Sequence, residues 1–566
     1  MCLGLLITYK KTNMKNIKYL TLIFGLIAFV GCNEPEDVLK DTNIEPEEVV
    51  VLPELITGST DFSTYVSIGN SLTAGFTDNA LFKASQENSF PNILSQKFAM
   101  IGGGDFNQPL TNDNFGGIAL GGNRILEPRL VTTGGAPVSL ESVIGPVTVT
   151  TDVALNNPTG PFNNMGVPGA KSFHLLAPGY GNISGLLTDP ATANPYFVRM
   201  TGTTPDASIL QLAMAQTPTF FSLWIGNNDV LGYATTGGDG TNPITPVDGA
   251  PGVGFTQTYG ALIATLTAGG AKGVIANIPY VTDIPHFTTV PYNALDPNDE
   301  DNGPALIAQI PTLNTVYGAL NQIFNLVDPS RVISFSSTEA NGVVIKDETL
   351  ADLSSVIRGG LLSNRPAFEG FIAQFGLAPE AADSVATLFG IVYGQARQAT
   401  ADDLFVLPSL SIIGEVNETQ SAFLQSQDLP EALADQFSAE GVTFPLADKW
   451  VLIPSEQDEI KKAVDAFNLT IETAATNAGL AFVDANSLLS QLATTGIETD
   501  NFILKSNLVT GGAFSLDGVH LTSRGYAMAA NEFMKAIDAA YGTNFEASGN
   551  LVNTGNYPTN YSPLLQ

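Results

Sequence analysis

Residues 64–75 read TYVSIGNSLTAG, and this stretch decides the fold. Its first five residues are rich in β-branched and aromatic side chains, a composition typical of a buried strand. Gly69 and Asn70 then introduce a turn, so that Ser71 follows the strand directly. In open α/β folds the ligand lies outside the carboxyl ends of the strands. The stretch therefore predicts a central strand that places Ser71 at the ligand-binding edge of a sheet.

Further strands and helices alternate along the chain after this first strand. Apolar runs predict strands at residues 219–225, 273–278 and 480–483, and helical spacing predicts helices at 256–268 and 456–478. Such alternation indicates a mostly parallel sheet covered by helices on both faces. We therefore expect an α/β fold, a three-layer α/β/α sandwich.

Residues from about 303 to 415 interrupt this alternation with helical patterns and short strand-like pieces. They predict a largely helical insertion within a single domain that covers residues 61–543. Residues 544–566 are rich in Asn, Gly and Pro, a composition that predicts a flexible C-terminal tail.

The charge and cysteine content exclude several functional classes. Lys and Arg number 23 against 55 Asp and Glu, which gives a formal net charge of -32. A surface this acidic repels phosphate backbones, so we expect no nucleic-acid partner. The two cysteines, Cys2 and Cys32, lie in or beside an N-terminal signal. The mature chain is therefore expected to hold neither a disulfide framework nor a cysteine zinc site.

The N-terminus has the pattern of a secretory signal peptide over residues 1–32. Lysines between residues 10 and 18 precede an apolar run at 19–30, and a small residue, Gly31, precedes Cys32. The run is too short for a transmembrane span. Either Met1 or Met14 can serve as the start.

Residues 29–32, FVGC, resemble the lipobox of bacterial lipoproteins, in which the cysteine is acylated. The resemblance implies that Cys32 carries a lipid anchor in the outer membrane, outside the cytoplasm. Residues 33–60 are rich in Glu, Asp and Pro and predict an acidic flexible tether. The acidic residues directly after Cys32 resemble a signal for export to the cell surface, which leaves a periplasmic and a surface orientation open. A plain signal peptide with an incidental cysteine is the alternative.

Residues 515–522, SLDGVHLT, contain one of only three histidines in the chain. Asp517 precedes His520 by three residues, so its carboxylate can accept the Nδ1 proton and turn Nε2 outward. That orientation allows a histidine to remove a proton from a hydroxyl group. The alternatives are a surface loop with an incidental Asp-His pair, and a purely structural turn at Ser71.

Two further segments could supply hydrogen-bond donors to an oxyanion. Asn228 lies in residues 226–229, GNND, directly after a predicted strand, and its side-chain amide can donate. Gly169 lies in residues 166–171, GVPGAK, where the missing side chain lets a backbone N–H approach a substrate. Each segment alone is more often a turn than a site.

In their order along the chain, the four segments resemble the conserved blocks of the SGNH hydrolase superfamily, the GDSL-like lipases and acylhydrolases. The resemblance implies that Ser71 is the nucleophile, His520 the general base and Asp517 the acid of a catalytic triad. It also implies an oxyanion hole formed by the backbone N–H of Ser71, the N–H of Gly169 and the amide of Asn228.

The first block departs from the family, since Asn70 stands where an Asp normally precedes the serine. That Asp is not the triad acid, so we expect altered local hydrogen bonding rather than altered chemistry. Block two also differs, with Lys171 where a small hydroxyl residue often follows.

The resemblance implies hydrolysis of carboxylic esters without a metal or other cofactor. Lipid esters, thioesters and acetylated glycans all remain open as substrates, and so does the oligomeric state. We expect His174 to cap or pack on a helix, and His286 to be structural or on the surface. The alternative function is that of a non-catalytic surface lipoprotein that binds glycans or other nutrients.

Overall fold

The computed structural model describes residues 51–566. The signal peptide, the lipobox with Cys32 and most of the tether lie outside the described residues. Between residues 51 and 566, no helix has the length and apolar character needed to cross a membrane.

A five-stranded parallel sheet forms the centre of the fold, with the spatial order β2-β1-β3-β4-β5. This confirms the predicted α/β fold with a parallel sheet. The strand order reverses between β1 and β3, the kind of point at which α/β sheets bind ligands. The strands are β1 (Tyr65–Gly69), β2 (Asn164–Gly166), β3 (Phe220–Trp224), β4 (Lys272–Ala276) and β5 (Ala481–Val483).

The strands are apolar because both faces of the sheet are covered. Every residue of β1 and β3 is buried. The buried hydroxyl groups satisfy one another, since Ser222 Oγ lies 2.7 Å from both Ser67 Oγ and the Tyr65 hydroxyl. Strand β2 was not predicted. It is a three-residue Asn-Met-Gly segment that has no β-branched side chain to mark it.

Seven helices pack against the sheet or lead away from its strands. Phe255 and Phe467 stack at 4.0 Å between α4 and α5. Phe90 of α2 and Phe533 of α7 lie 4.7 Å apart, and both rings contact Trp224 of β3. The helices are α1 (Ser71–Ala74), α2 (Phe90–Ala99), α3 (Asn228–Thr235), α4 (Phe255–Thr267), α5 (Pro454–Ala478), α6 (Ala485–Ala493) and α7 (Ser523–Tyr541).

A second hydrophobic cluster lies between β4 and β5 in the sequence and extends from Val290 to Ile453. It spans more of the sequence than residues 303–415, the predicted insertion. Short antiparallel strands close the cluster, and one of them, Val451–Leu452, pairs with Leu404–Phe405. A two-residue strand leaves no periodic pattern in the sequence. The helices of this region are Gly303–Val327, Ser354–Ser363, Arg365–Ala373, Ala382–Tyr393, Glu418–Ser426 and Glu431–Gln436, and its other strands are Val344–Lys346 and Ala396–Gln398.

Shorter elements complete the described chain. Three two-stranded ribbons and five short helices lie outside the central sheet and the second cluster. The ribbons are Gly116–Leu120 with Asn123–Pro128, Leu130–Val131 with Val138–Ser139, and Ile497–Thr499 with Phe502–Leu504; the helices are Lys83–Glu87, Leu140–Ile144, Pro195–Val198, Ile209–Met214 and Pro285–Thr288.

Residues 544–566 pack against the domain, which corrects the predicted flexible tail. Phe545 is fully buried, with its ring 5.9 Å from that of Phe98. The buried Arg129 donates from Nη2 to the carbonyl oxygen of Ser562 at 2.6 Å. The polar composition predicted a tail, but a few aromatic side chains and backbone carbonyls are enough to hold it.

The packed chain also begins earlier than residue 61. Asn544 accepts a hydrogen bond from the N–H of Ile56 and donates one to the carbonyl of Glu54, both at 2.9 Å. Lys272, at the start of β4, donates to the carbonyl oxygen of Ser59. The last residues of the predicted tether and the start of the C-terminal segment therefore hold each other in place.

We predict that Phe545→Ala lowers the free energy of unfolding by about 3–5 kcal/mol, because it leaves a cavity among buried aromatic rings. Urea denaturation measures the change. Leu564→Ala is the matched control in the same segment, since Leu564 is 77% exposed. Equal stability of the two variants would contradict the packed arrangement.

Candidate active site

Ser71 lies at the carboxyl end of β1 and begins the short helix α1. Asn70 caps this helix, since its Oδ1 accepts the N–H of Leu72 at 3.0 Å. Gly69 is required before it, because a Cβ there would lie 2.4 Å from the carbonyl oxygen of Trp224. As the first residue of a helix, Ser71 has a backbone N–H without an acceptor inside the helix.

The loop before α7 holds Asp517 and His520 in a fixed relation. Oδ1 of Asp517 accepts the N–H groups of Val519 and His520, both at 2.8 Å. Oδ2 lies 2.9 Å from Nδ1 of His520. The Asp517 carboxylate therefore holds both the backbone turn that leads to His520 and the imidazole ring itself.

His520 reaches Ser71 across the edge of the sheet. Its Nε2 lies 2.9 Å from Ser71 Oγ, although the two residues are 449 positions apart. The Phe76 ring packs against the imidazole with centroids 4.6 Å apart. Ser71, His520 and Asp517 thus form a continuous chain of hydrogen bonds, the arrangement that lets a histidine accept a serine proton.

Two opposing effects set the charge of Asp517. Burial alone would raise its pKa, but the imidazole of His520 and the surrounding N–H donors lower that pKa well below its ordinary value. The carboxylate therefore stays ionised. An ionised carboxylate at Nδ1 stabilises the imidazolium that forms when His520 accepts a proton.

Gly169 and Asn228 leave the sheet at the same edge as Ser71. Gly169 follows β2, which pairs with β1, and its φ of +80° is one that L side chains rarely adopt. Asn228 follows β3 and donates from Nδ2 to the carbonyl oxygen of Ala170 at 2.9 Å. One amide hydrogen of Asn228 thus fixes the Gly169 turn, and the second hydrogen remains for another acceptor.

Asp229 links the same two segments from within the protein. Its carboxylate accepts the hydroxyl and the N–H of Ser172 at 2.7 and 2.8 Å. Burial raises the pKa of Asp229, and the hydrogen bonds from Ser172 oppose that rise. Asp229 is fully buried, and its hydrogen bonds join the segment after the Gly169 turn to the start of α3.

Asn70, the residue that departs from the family pattern, is also buried. Its Nδ2 donates to Oδ1 of Asn227 at 3.2 Å while its Oδ1 caps α1. The amide therefore joins the Ser71 turn to the segment that carries Asn228. An aspartate could cap the helix equally well, but it could not donate to Asn227.

Asp78 and Asn79, which no sequence motif singled out, support the loop that carries Asp517. The N–H of Asn79 donates to Oδ2 of Asp517 at 2.8 Å, and Oδ1 of Asp78 accepts the N–H of Leu516 at 3.2 Å. Both residues have a positive φ, 52° and 61°. The adjacent Asp-Asn pair was the available signal, since these residues tolerate left-handed turns better than most.

The other two histidines lie away from Ser71 in the hydrogen-bond network. His174 accepts the N–H of Lys171 at its Nδ1 and stacks on the Tyr180 ring at 4.2 Å. His286 is buried, and its backbone N–H donates to the carbonyl of Gly518, in the loop that carries Asp517 and His520, at 2.9 Å. Burial lowers the pKa of each histidine to about 4. Both are neutral at pH 7.

One group of carboxylates in the described chain could hold a metal ion. Oxygen atoms of Glu348, Asp448 and Glu456 lie within 4.8 Å of one another. Burial, together with the charges of Asp448 and Glu348, raises the pKa of Glu456 to about 8. None of the three lines the cavity beside Ser71, so this group takes no part in the site.

A cavity with mostly apolar walls lies beside Ser71 and His520. Asn70, Asn227 and Asn228 also line it, so Ser71, His520 and Asn228 border the same cavity.

No protein-family model, curated protein or solved structure matches this chain.

The pKa of Asp78 predicts how the stability of the protein depends on pH. Burial raises its pKa from 3.8 to about 7, and the charge of Asp517 adds to the rise. Between about pH 4 and pH 7 the folded state binds a proton that the unfolded state has lost. This contribution to stability is present at low pH and is lost as the pH rises towards 7.

We therefore predict that Asp78→Asn flattens the pH profile of unfolding between pH 4 and 7, because Asn keeps the acceptor for Leu516 but cannot ionise. Urea denaturation at a series of pH values measures the profile. Asp105→Asn, at an exposed position, should retain the parent profile. Parallel profiles for parent and Asp78→Asn would show that this carboxylate does not titrate as described.

Proposed function

We propose that this chain is a serine-dependent hydrolase of carboxylic esters. The observation that carries the proposal is the Ser71–His520–Asp517 relay, with 2.9 Å at each of its two contacts to the imidazole. A nucleophile, a base in contact with it and a third group that orients the base are the signature of an activated nucleophile. The cavity beside the serine gives a substrate room to bind.

The first chemical step is acylation of Ser71. Nε2 of His520 accepts the hydroxyl proton as Oγ attacks the ester carbonyl carbon, and the carbonyl π electrons move to the oxygen. The resulting imidazolium is stabilised by the Asp517 carboxylate. His520 then returns the proton to the leaving alcohol as the C–O bond breaks. A positioned general base contributes about 10²–10⁴-fold to such a rate.

The tetrahedral oxyanion needs donors on the side of the carbonyl away from His520. We assign the backbone N–H groups of Ser71 and Gly169 and the amide of Asn228 to this role. The free N–H at the start of α1 and the bond that ties Asn228 to the Gly169 turn support the assignment. A single donor of this kind contributes about 10²–10³-fold.

The second step releases the acyl group. His520 accepts a proton from water, the hydroxide attacks the acyl carbon, and the proton returns to Ser71 Oγ as the acyl–enzyme bond breaks. The products are a carboxylic acid and the free serine. Every proton in the cycle passes through Nε2 of His520.

The same features lead us to propose membership of the SGNH hydrolase superfamily. The strand order and the place of the four motif segments after β1, β2, β3 and before α7 support this proposal. A three-layer sandwich fits the packing of α2 with α7 and of α4 with α5. The second cluster, Val290 to Ile453, is then an insertion between β4 and β5.

We predict that Ser71→Ala abolishes labelling by a fluorophosphonate probe and lowers p-nitrophenyl ester hydrolysis by about 10³-fold or more, since the attacking oxygen is lost. His520→Ala should cause a loss of similar size. Ser490→Ala, an exposed serine on α6, is the matched control and should label normally. A folded parent protein that takes no label would support the non-catalytic, nutrient-binding alternative.

We also propose that Cys32 carries a lipid anchor at the outer membrane, on the basis of the lipobox resemblance and the acidic segment that follows. We predict that Cys32→Ala moves the protein from the membrane fraction to the soluble fraction and prevents incorporation of labelled palmitate, because the acylated thiol is lost. Ser71→Ala should remain in the membrane fraction. Unchanged fractionation of Cys32→Ala would refute the anchor.

A further inference from the structure

The cavity beside Ser71 continues into the protein as an apolar trough. Its inner residues are buried, and its walls come from α6, from α7 and from the segment that follows β4. Ile284 of that segment is 5% exposed. A site built only to hold a small acyl group such as acetyl would not need an apolar lining from three parts of the fold.

Helix α6 forms one wall with a regular apolar stripe. Ala485, Leu488, Leu489 and Leu492 recur at the spacing of one helix face, and all four line the cavity. Leu488 is half-buried, whereas Leu489 and Leu492 are buried. An amphipathic helix normally packs its apolar face against a core. In α6 this face borders the cavity.

Helix α7 forms the floor. Met528, Ala529 and Phe533 line the cavity, and Glu532 lies at the same face. From Met528 to Phe533 the helix rises about 7.5 Å, at about 1.5 Å per residue. The part of α7 that lines the trough is therefore longer than an acetyl group.

The trough is almost uncharged along its length. Of the described side chains that line it, Glu532 carries the one formal charge apart from the ionisable His520. The Glu532 carboxylate pairs with Lys535 at 2.8 Å. A ligand that fills the trough must therefore be apolar for most of its length.

We propose that this trough binds the acyl chain of a fatty ester, so that the enzyme prefers acyl groups of medium or greater length over acetyl. The inference rests on the proposed ester hydrolysis. The acyl chain remains attached to Ser71 through both chemical steps, so its burial stabilises the transition states of acylation and deacylation alike. The leaving alcohol departs after the first step.

The test uses p-nitrophenyl acetate, butyrate, octanoate and laurate with the full chain. Each methylene that enters the trough should raise kcat/KM by about threefold to fourfold, which corresponds to its burial free energy. The rise should end when the chain reaches Glu532. A parallel series of alkyl acetates, in which the alcohol lengthens, should show no such increase.

Two variants narrow the trough without touching the triad. Ala529→Leu on the floor and Leu488→Trp on the half-buried wall should each lower kcat/KM for octanoate at least tenfold and leave acetate within about twofold. Ala539→Leu is the matched control, since Ala539 is an exposed residue on the same helix. Labelling by a short-chain fluorophosphonate reports whether each variant is folded, and Leu488→Trp serves if Ala529→Leu does not fold.

The outcomes separate the two proposals. Acetate hydrolysis as fast as octanoate hydrolysis, a preference that follows the alcohol chain, or an equal loss for acetate and octanoate in the narrowed variants would overturn the acyl trough while ester hydrolysis stands. Absence of both labelling and hydrolysis in the parent protein would overturn the proposed function itself.

Discussion

The parallel pairing of β1 with its two neighbours is the constraint on which the site depends. Gly69 pairs with Gly166 of β2 on one side and with Trp224 of β3 on the other. The chain must therefore leave all three strands at the same edge of the sheet. The segments that carry the proposed nucleophile and oxyanion donors follow these strands directly, so they lie next to one another. The imidazole alone has to come from elsewhere. It is supplied by the loop before α7, a helix held in place by its packing against β5 and α2.

The neighbouring carboxylates of Asp517 and Asp78 are both buried, but their pKa values are shifted in opposite directions. Asp517 accepts hydrogen bonds from Asn79, Val519 and His520 as well as the imidazole contact, and its pKa is lowered although it is buried. Asp78 accepts one bond from Leu516, and burial raises its pKa to about 7. Burial is common to both residues, so the difference comes from the neighbouring charges and donors: His520 and several N–H groups lower the pKa of Asp517, whereas the charge of Asp517 adds to the raised pKa of Asp78.

Much of this arrangement was open to prediction because it is local. The strands that became β1, β3, β4 and β5 have continuous apolar runs, and Gly479 ends α5 with a φ of +62°, the left-handed conformation expected of a C-terminal cap. Ser71, Asp517 and His520 were selected from short segments, and the structure brings these three side chains into contact. The sequence did not reveal β2, because its strand conformation depends on pairing with β1 and its own residues are not typical of a strand. The adjacent Asp-Asn pair at 78–79 indicated a left-handed turn but not its contact with Leu516, which lies more than four hundred residues away in the chain.

The contacts of Asn544 with Glu54 and Ile56 have a geometric consequence for the two ends of the sheet. Ser59 and the end of α7 lie at the first residues of β4 and β5, where the Tyr541 hydroxyl accepts the N–H groups of Gly273 and Ala481. The chain thus enters the domain at the amino ends of the strands, whereas Ser71 lies beyond their carboxyl ends. Residues 54–59 and the proposed nucleophile therefore lie at opposite ends of the sheet, so substitutions in one of these regions leave the contacts of the other intact.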